Sequence, residues 1–165
     1  IRTNRMVLYD LTADGKSKPA TTPAAVNRKL AASPFTVATV VHEATHQIAF
    51  NCGMHTRYAD NPLWLSEGMA MYFETPDLSS RSGWRTVGKV NVARLTRFHD
   101  YVQKRRKANA LVSLLSSNSR FAASETAEDA YAESWALTFF LIKTRRKEYV
   151  DYLNRLSKKN GTDLG

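Results

Sequence analysis

The sequence predicts an α+β protein, mainly helical, with a small remnant of sheet at its start. Three observations predict it. Helix-start signals, Ser33-Pro34 and Asn61-Pro62, stand in front of apolar segments of helix length. Later segments carry apolar residues at helical spacing, as Leu95, Phe98 and Val102 do. Only Met6-Val7-Leu8-Tyr9, within Asn4 to Asp10, has the compact apolar run of a strand. The 165 residues suit one domain over 1–165, with strand and loop over 1–33 and helices over 34–165.

The elements follow in order. Thr12 to Ala25, rich in Thr, Ala, Lys and Pro with Gly15, reads as a loop. Ser33 is a good N-cap, and Pro34 suits the first helical position because its missing N–H has no helical partner anyway. That helix should run to about Asn51, with Gly53 as its stop, and its apolar character on most sides implies burial. Asn61-Pro62 opens a second helix to about Phe73, near Thr75-Pro76. Asp77 to Gly88 reads as an exposed loop with Trp84 as its large apolar residue. A helix is expected over Val92 to Arg106 and a short one over Leu111 to Leu115. Thr126 to Asp129 has the Thr-x-x-acid capping pattern and opens a helix to about Lys143. The last helix should cover Arg146 to Leu156.

The net charge is +9, from 24 Lys+Arg against 15 Asp+Glu. It favours acidic partners without naming one. The basic clusters Lys104 to Lys107 and Lys143 to Lys147 fall at helix C-termini, where the dipole favours positive charge. No nucleic-acid-binding motif accompanies them, so no specific nucleic acid is expected. No apolar run approaches the ~18 residues of a membrane span. One cysteine, Cys52, excludes an intrachain disulfide and reads as a small buried thiol. The chain begins at Ile1, not Met, so a fragment or a processed product of a longer protein is expected.

The chemistry is carried by Val40 to Phe50, VVHEATHQIAF. On a helix, His42 and His46 are one turn apart on one face, and Glu43 projects beside them. Two imidazoles can converge on one zinc while the acid reaches a water held there. A third protein ligand is needed. Where some zinc helices continue with a glycine and a third histidine, this chain has Ala49 and Cys52. A carboxylate inside a second apolar helix, Glu67 of Leu63-Trp-Leu-Ser-Glu-Gly-Met-Ala-Met-Tyr-Phe-Glu74, supplies the alternative. The bland reading is a pair of core histidines and a salt-bridged glutamate.

HEATH followed by WLSEGMAMYFE resembles the gluzincins, the group that includes thermolysin and the zinc aminopeptidases. With NRMVLYD, GWRTVGKVN and YAESWALTFFL, the chain is similar to an uncharacterised bacterial family of peptidase-MA-like domains, from about Asn4 to Leu141. The resemblance implies a zincin-like metallopeptidase catalytic domain holding one Zn²⁺ on His42, His46 and Glu67. Glu43 would activate the zinc-bound water for peptide-bond hydrolysis. Tyr131 would donate to the oxyanion, as a tyrosine on a later helix does in some gluzincins; its bland reading is a ring in the core. NRMVLYD would line the cleft and pair with an extended peptide or protein substrate. The resemblance leans towards a secreted or cell-envelope location.

Several residues are weighed beside these. Ser134 faces as Tyr131 does and reads either as support for the site or as a plain helix serine. Glu133 reads as an orienting acid or a surface acid, and His55 and His99 as surface or loop residues. Met71 stands where several gluzincins place an acid that hydrogen-bonds a ligand histidine, and Glu74 is the possible substitute. The alternative function is a zinc-binding but catalytically weak or inactive module for an anionic partner.

Overall fold

A computed structural model of the chain describes residues 21–56, 60–75 and 87–158. Among them every regular element is a helix: α1 Pro23–Ala31, α2 Pro34–Asn51, α3 Leu63–Phe73, α4 Val92–Lys104, α5 Ala110–Ser116, α6 Ser119–Ala122, α7 Ser124–Thr144 and α8 Arg146–Leu156. This overturns the α+β expectation and the sheet-bearing, zincin-like architecture. The described residues contain no strand, and helices cover one another's apolar faces. The expected strand, Asn4 to Asp10, and most of the expected loop, Asp77 to Gly88, lie outside the described residues.

α3 is the centre of the molecule. Eight of its residues are buried, among them Trp64, Leu65, Met69, Ala70 and Met71. An all-round apolar helix must be enclosed, and α2 and α7 enclose it. Gly68 lets α7 approach: a Cβ there would strike Thr138 Oγ1 and stand 2.6 Å from the Ser134 carbonyl oxygen. The core continues through Leu114, Ala130, Tyr149, Leu153 and Leu156.

Local signals explain several helix starts. Pro34 occupies the first turn of α2, although Ser33 makes no side-chain cap bond. Asn91 caps α4, its Oδ1 accepting the Arg94 backbone N–H at 3.1 Å. Three helices run against expectation, among them α6, where no helix was expected. α1 lies where loop was expected, started by Thr22, whose hydroxyl accepts the Ala25 N–H at 3.2 Å, and by Pro23. α7 begins two residues before Thr126, whose hydroxyl donates to the Arg120 carbonyl oxygen at 2.8 Å instead of capping. No described helix is long and apolar enough to cross a membrane.

Candidate metal centre

α2 presents His42 and His46 one turn apart, and the buried packing of α3 against α2 brings Glu67 to the same point. His42 Nε2 lies 3.2 Å from Glu67 Oε2 and 3.2 Å from His46 Nε2. His46 Nε2 lies 3.5 Å from Glu67 Oε1. Four-coordinate zinc with ligands at ~2.0–2.1 Å needs ligand atoms about 3.3–3.4 Å apart. The two spacings at His42 Nε2 lie just under that edge length, while His46 meets the other oxygen of Glu67; one ligand atom from each residue lies within 4.8 Å of the others, close enough for the three to share a single cation. Among the described residues these three form the one group able to hold a metal in this way.

The electrostatics suit a cation. Burial penalises the charge on His42, but hydrogen bonds to Glu67 and Glu74 outweigh it and carry the imidazole up to about 9. Burial likewise pushes Glu67 up, but its bonds to His42 and His46 bring it down to about 2. Without a metal, a protonated His42 therefore sits between two carboxylates.

Glu74, at the C-terminus of α3, does what Met71 cannot. Its Oε2 lies 2.9 Å from His42 Nδ1. Its Oε1 accepts from Asn91 Nδ2 at 2.7 Å and from Arg94 Nε at 3.4 Å. Met71 is fully buried and carries no group able to orient a histidine.

A cleft of about 780 Å³ opens over the group. His42, Glu43, His46, Glu67, Arg94 and Tyr131 all line it. Glu43 is exposed there. Tyr131 is half-buried, its ring edge-to-face with Phe121 at 5.3 Å and under the Arg94 guanidinium at 5.9 Å. Burial, with help from Glu67 and Glu128, pushes the Tyr131 hydroxyl above its ordinary value against the opposing pull of Arg94. It remains a donor at neutral pH.

Other residues fall elsewhere. Ser134 is buried and donates to the Ala130 carbonyl oxygen at 2.8 Å, a helix serine. Glu133 is not a surface acid; it is buried and its carboxylate is engaged by Arg106 Nε at 2.9 Å and Arg120 Nη1 at 2.7 Å, not by a histidine. His55 is buried, not superficial, with its ring against Phe50 at 5.4 Å. His99 is exposed as expected. Cys52 is exposed, against expectation. The sequence reading missed Arg94 and Asn91. The asparagine just before the Val92 helix was a visible cap signal, but nothing local pointed from it to Glu74.

Fold and site together define a helical protein with a two-histidine, one-carboxylate group at the foot of an open cleft. Residues 36–163 match the family described as "Protein of unknown function (DUF1570)", and the chain belongs to that family. No curated protein and no solved structure matches it.

Proposed function

We propose that the chain is a zinc-dependent peptide-bond hydrolase. The observation that carries this is the convergence of one ligand atom each from His42, His46 and Glu67 within 4.8 Å of one another, with Glu43 lining the same cleft. Similarity of HEATH and WLSEGMAMYFE to the gluzincins supports it. A bound zinc would supply Lewis acidity to a carbonyl and acidify water in the cleft. Glu43 takes the proton of the attacking water and returns it to the leaving amine. A structural site has no use for such a base, which favours catalysis over simple binding. Tyr131, held protonated, donates to the oxyanion as charge develops. Glu74 fixes the rotation of His42 throughout. The open cleft suits a peptide or protein chain as substrate.

The test is a comparison of wild type with Glu43→Gln. Both should hold about one zinc per chain. The variant should cleave an unstructured polypeptide about 10²–10⁴-fold more slowly. Equal cleavage would remove Glu43 as the base. A wild type that stays zinc-free on titration would remove the site. A zinc-loaded wild type inert on unstructured substrates would favour the non-catalytic binding module.

A further inference from the structure

We infer that Arg94 is a positioning residue for the His42, His46 and Glu67 group and that it acts through Glu74. The inference rests on the metal-binding part of the proposed function.

His42 uses its two nitrogens differently. Nε2 faces Glu67 and His46, while Nδ1 meets Glu74 Oε2 at 2.9 Å. A carboxylate that accepts the Nδ1–H hydrogen bond fixes the ring plane and keeps the proton on Nδ1, leaving the Nε2 lone pair for a cation. Glu74 itself needs fixing, because it sits at the C-cap of α3, where the helix ends. Its second oxygen is taken by Asn91 Nδ2 at 2.7 Å and Arg94 Nε at 3.4 Å. Those two bonds aim Oε2 at His42.

Arg94 is held in turn. Its backbone N–H is the capping donor to Asn91 Oδ1, and its Nη1 reaches Glu128 Oε2 at 3.3 Å. Its guanidinium also covers the Tyr131 ring. One side chain thus joins the start of α4 to the back of the metal group and to the tyrosine side of the cleft. A lysine could reach Glu74 or Glu128, but not both with a planar fork.

The sign of the effect separates this from simple electrostatics. Arg94 is a cation beside a cation site, so by charge alone its removal should tighten zinc binding. If it positions Glu74, its removal weakens binding. The test measures zinc affinity by competition with a chelator for wild type, Arg94→Met, Glu74→Gln and the double variant, each checked for wild-type helical content. Arg94→Met should bind zinc about tenfold more weakly, in the range found when partners of ligand histidines are lost. The double variant should bind within about twofold of Glu74→Gln alone, because a residue acting through another adds nothing once that other is gone. Cobalt in the site should show the same altered visible spectrum in both single variants. Tighter or unchanged zinc binding in Arg94→Met, or losses that multiply in the double variant, overturns the inference while leaving the metal site standing. A wild type that takes no zinc overturns both. Should Arg94→Met not fold, Arg94→Lys replaces it: intermediate affinity supports the inference, and wild-type or tighter binding overturns it.

Discussion

His42 is the residue on which the site's response to pH turns. Pressed between Glu67 and Glu74, its imidazole is raised from 6.5 to about 9, so the metal-free protein carries a proton there at neutral pH. Because the folded value is raised, the pairing stabilises the metal-free fold fully below about 6.5 and is lost as pH rises through about 9. A cation at Nε2 must displace that proton, whereas Glu67, at about 2, is already ionised. Zinc uptake at pH 7 should therefore release about one proton from His42. Calorimetry in buffers of different ionisation enthalpy reads this directly, and a buffer-independent heat would contradict the protonated His42. The sequence exposed this site because ligand chemistry is restricted to few residue types and an i, i+4 spacing places two of them on one helix face. Glu74 was legible as a substitute for the missing acid after Glu67. Asn91 and Arg94 were not, since they meet Glu74 from 17 and 20 positions away across an intervening segment.

At the scale of the element, α3 and α7 hold the architecture. Where the Gly68 Cβ would go stand Ser134 backbone and Thr138, both belonging to a buried helix that cannot yield like a flexible side-chain tip. Gly68→Ala should gain up to about 1 kcal/mol in helix propensity. It should lose more to the forced separation of α3 from α7, since overpacking costs about 1–3 kcal/mol. Chemical denaturation should show a net loss of stability, and because Glu67 is the preceding residue, weaker zinc binding should accompany it. A variant as stable as wild type would mean the helices are not in the contact described. The sequence revealed α2, α3, α4 and α8 closely: proline and glycine signals bound α2 and α3, and apolar residues at helical spacing marked α4 and α8. It did not show how α4 docks. The apolar row of Leu95 and Val102 is 45% and 42% exposed, while Tyr101 is buried. Arg97 of α4 and Arg105 just after it pair with Asp129 of α7, and a hydrophobic periodicity carries no record of those ion pairs. The α+β expectation failed for a related reason. It placed a sheet on Asn4 to Asp10, yet among the described residues α3 finds its enclosure in other helices.

At the scale of the molecule, the excess of positive charge is partly internal. Two acids on α7 are buried one turn apart, and four arginines from elsewhere in the chain converge on them. Asp129 is bound by Arg97 Nε at 2.6 Å and Arg105 Nε at 3.0 Å, and Glu133 by Arg106 and Arg120. Arg105 and Arg106 belong to the cluster that the helix dipole alone would have explained. The two acids should differ sharply in what their loss costs. Removing Asp129 leaves Arg97 and Arg105, whose side chains are 41% and 40% exposed and can turn to water. Removing Glu133 strands Arg120, only 12% exposed, with Arg106 beside it. Breaking a buried pair costs about 3–5 kcal/mol, against about 1–3 kcal/mol for a hydrogen-bonded charge whose partners can rehydrate. Glu133→Ala should thus lower the melting temperature by roughly 6–20 °C, and Asp129→Ala by clearly less. Asp129 also shapes the acid limb of stability. Burial pushes the Asp129 carboxyl up, but Arg105 and Arg97 outweigh it and hold it below the usual carboxylate range. Its stabilisation is whole above about pH 4 and fades as pH falls towards the folded value. The stability of Asp129→Ala should therefore fall less steeply than that of wild type below about pH 4. Thermal melts across pH 2–6 would show both effects. Equal losses for the two variants at pH 7 would mean that the exposure of the arginines does not set the cost.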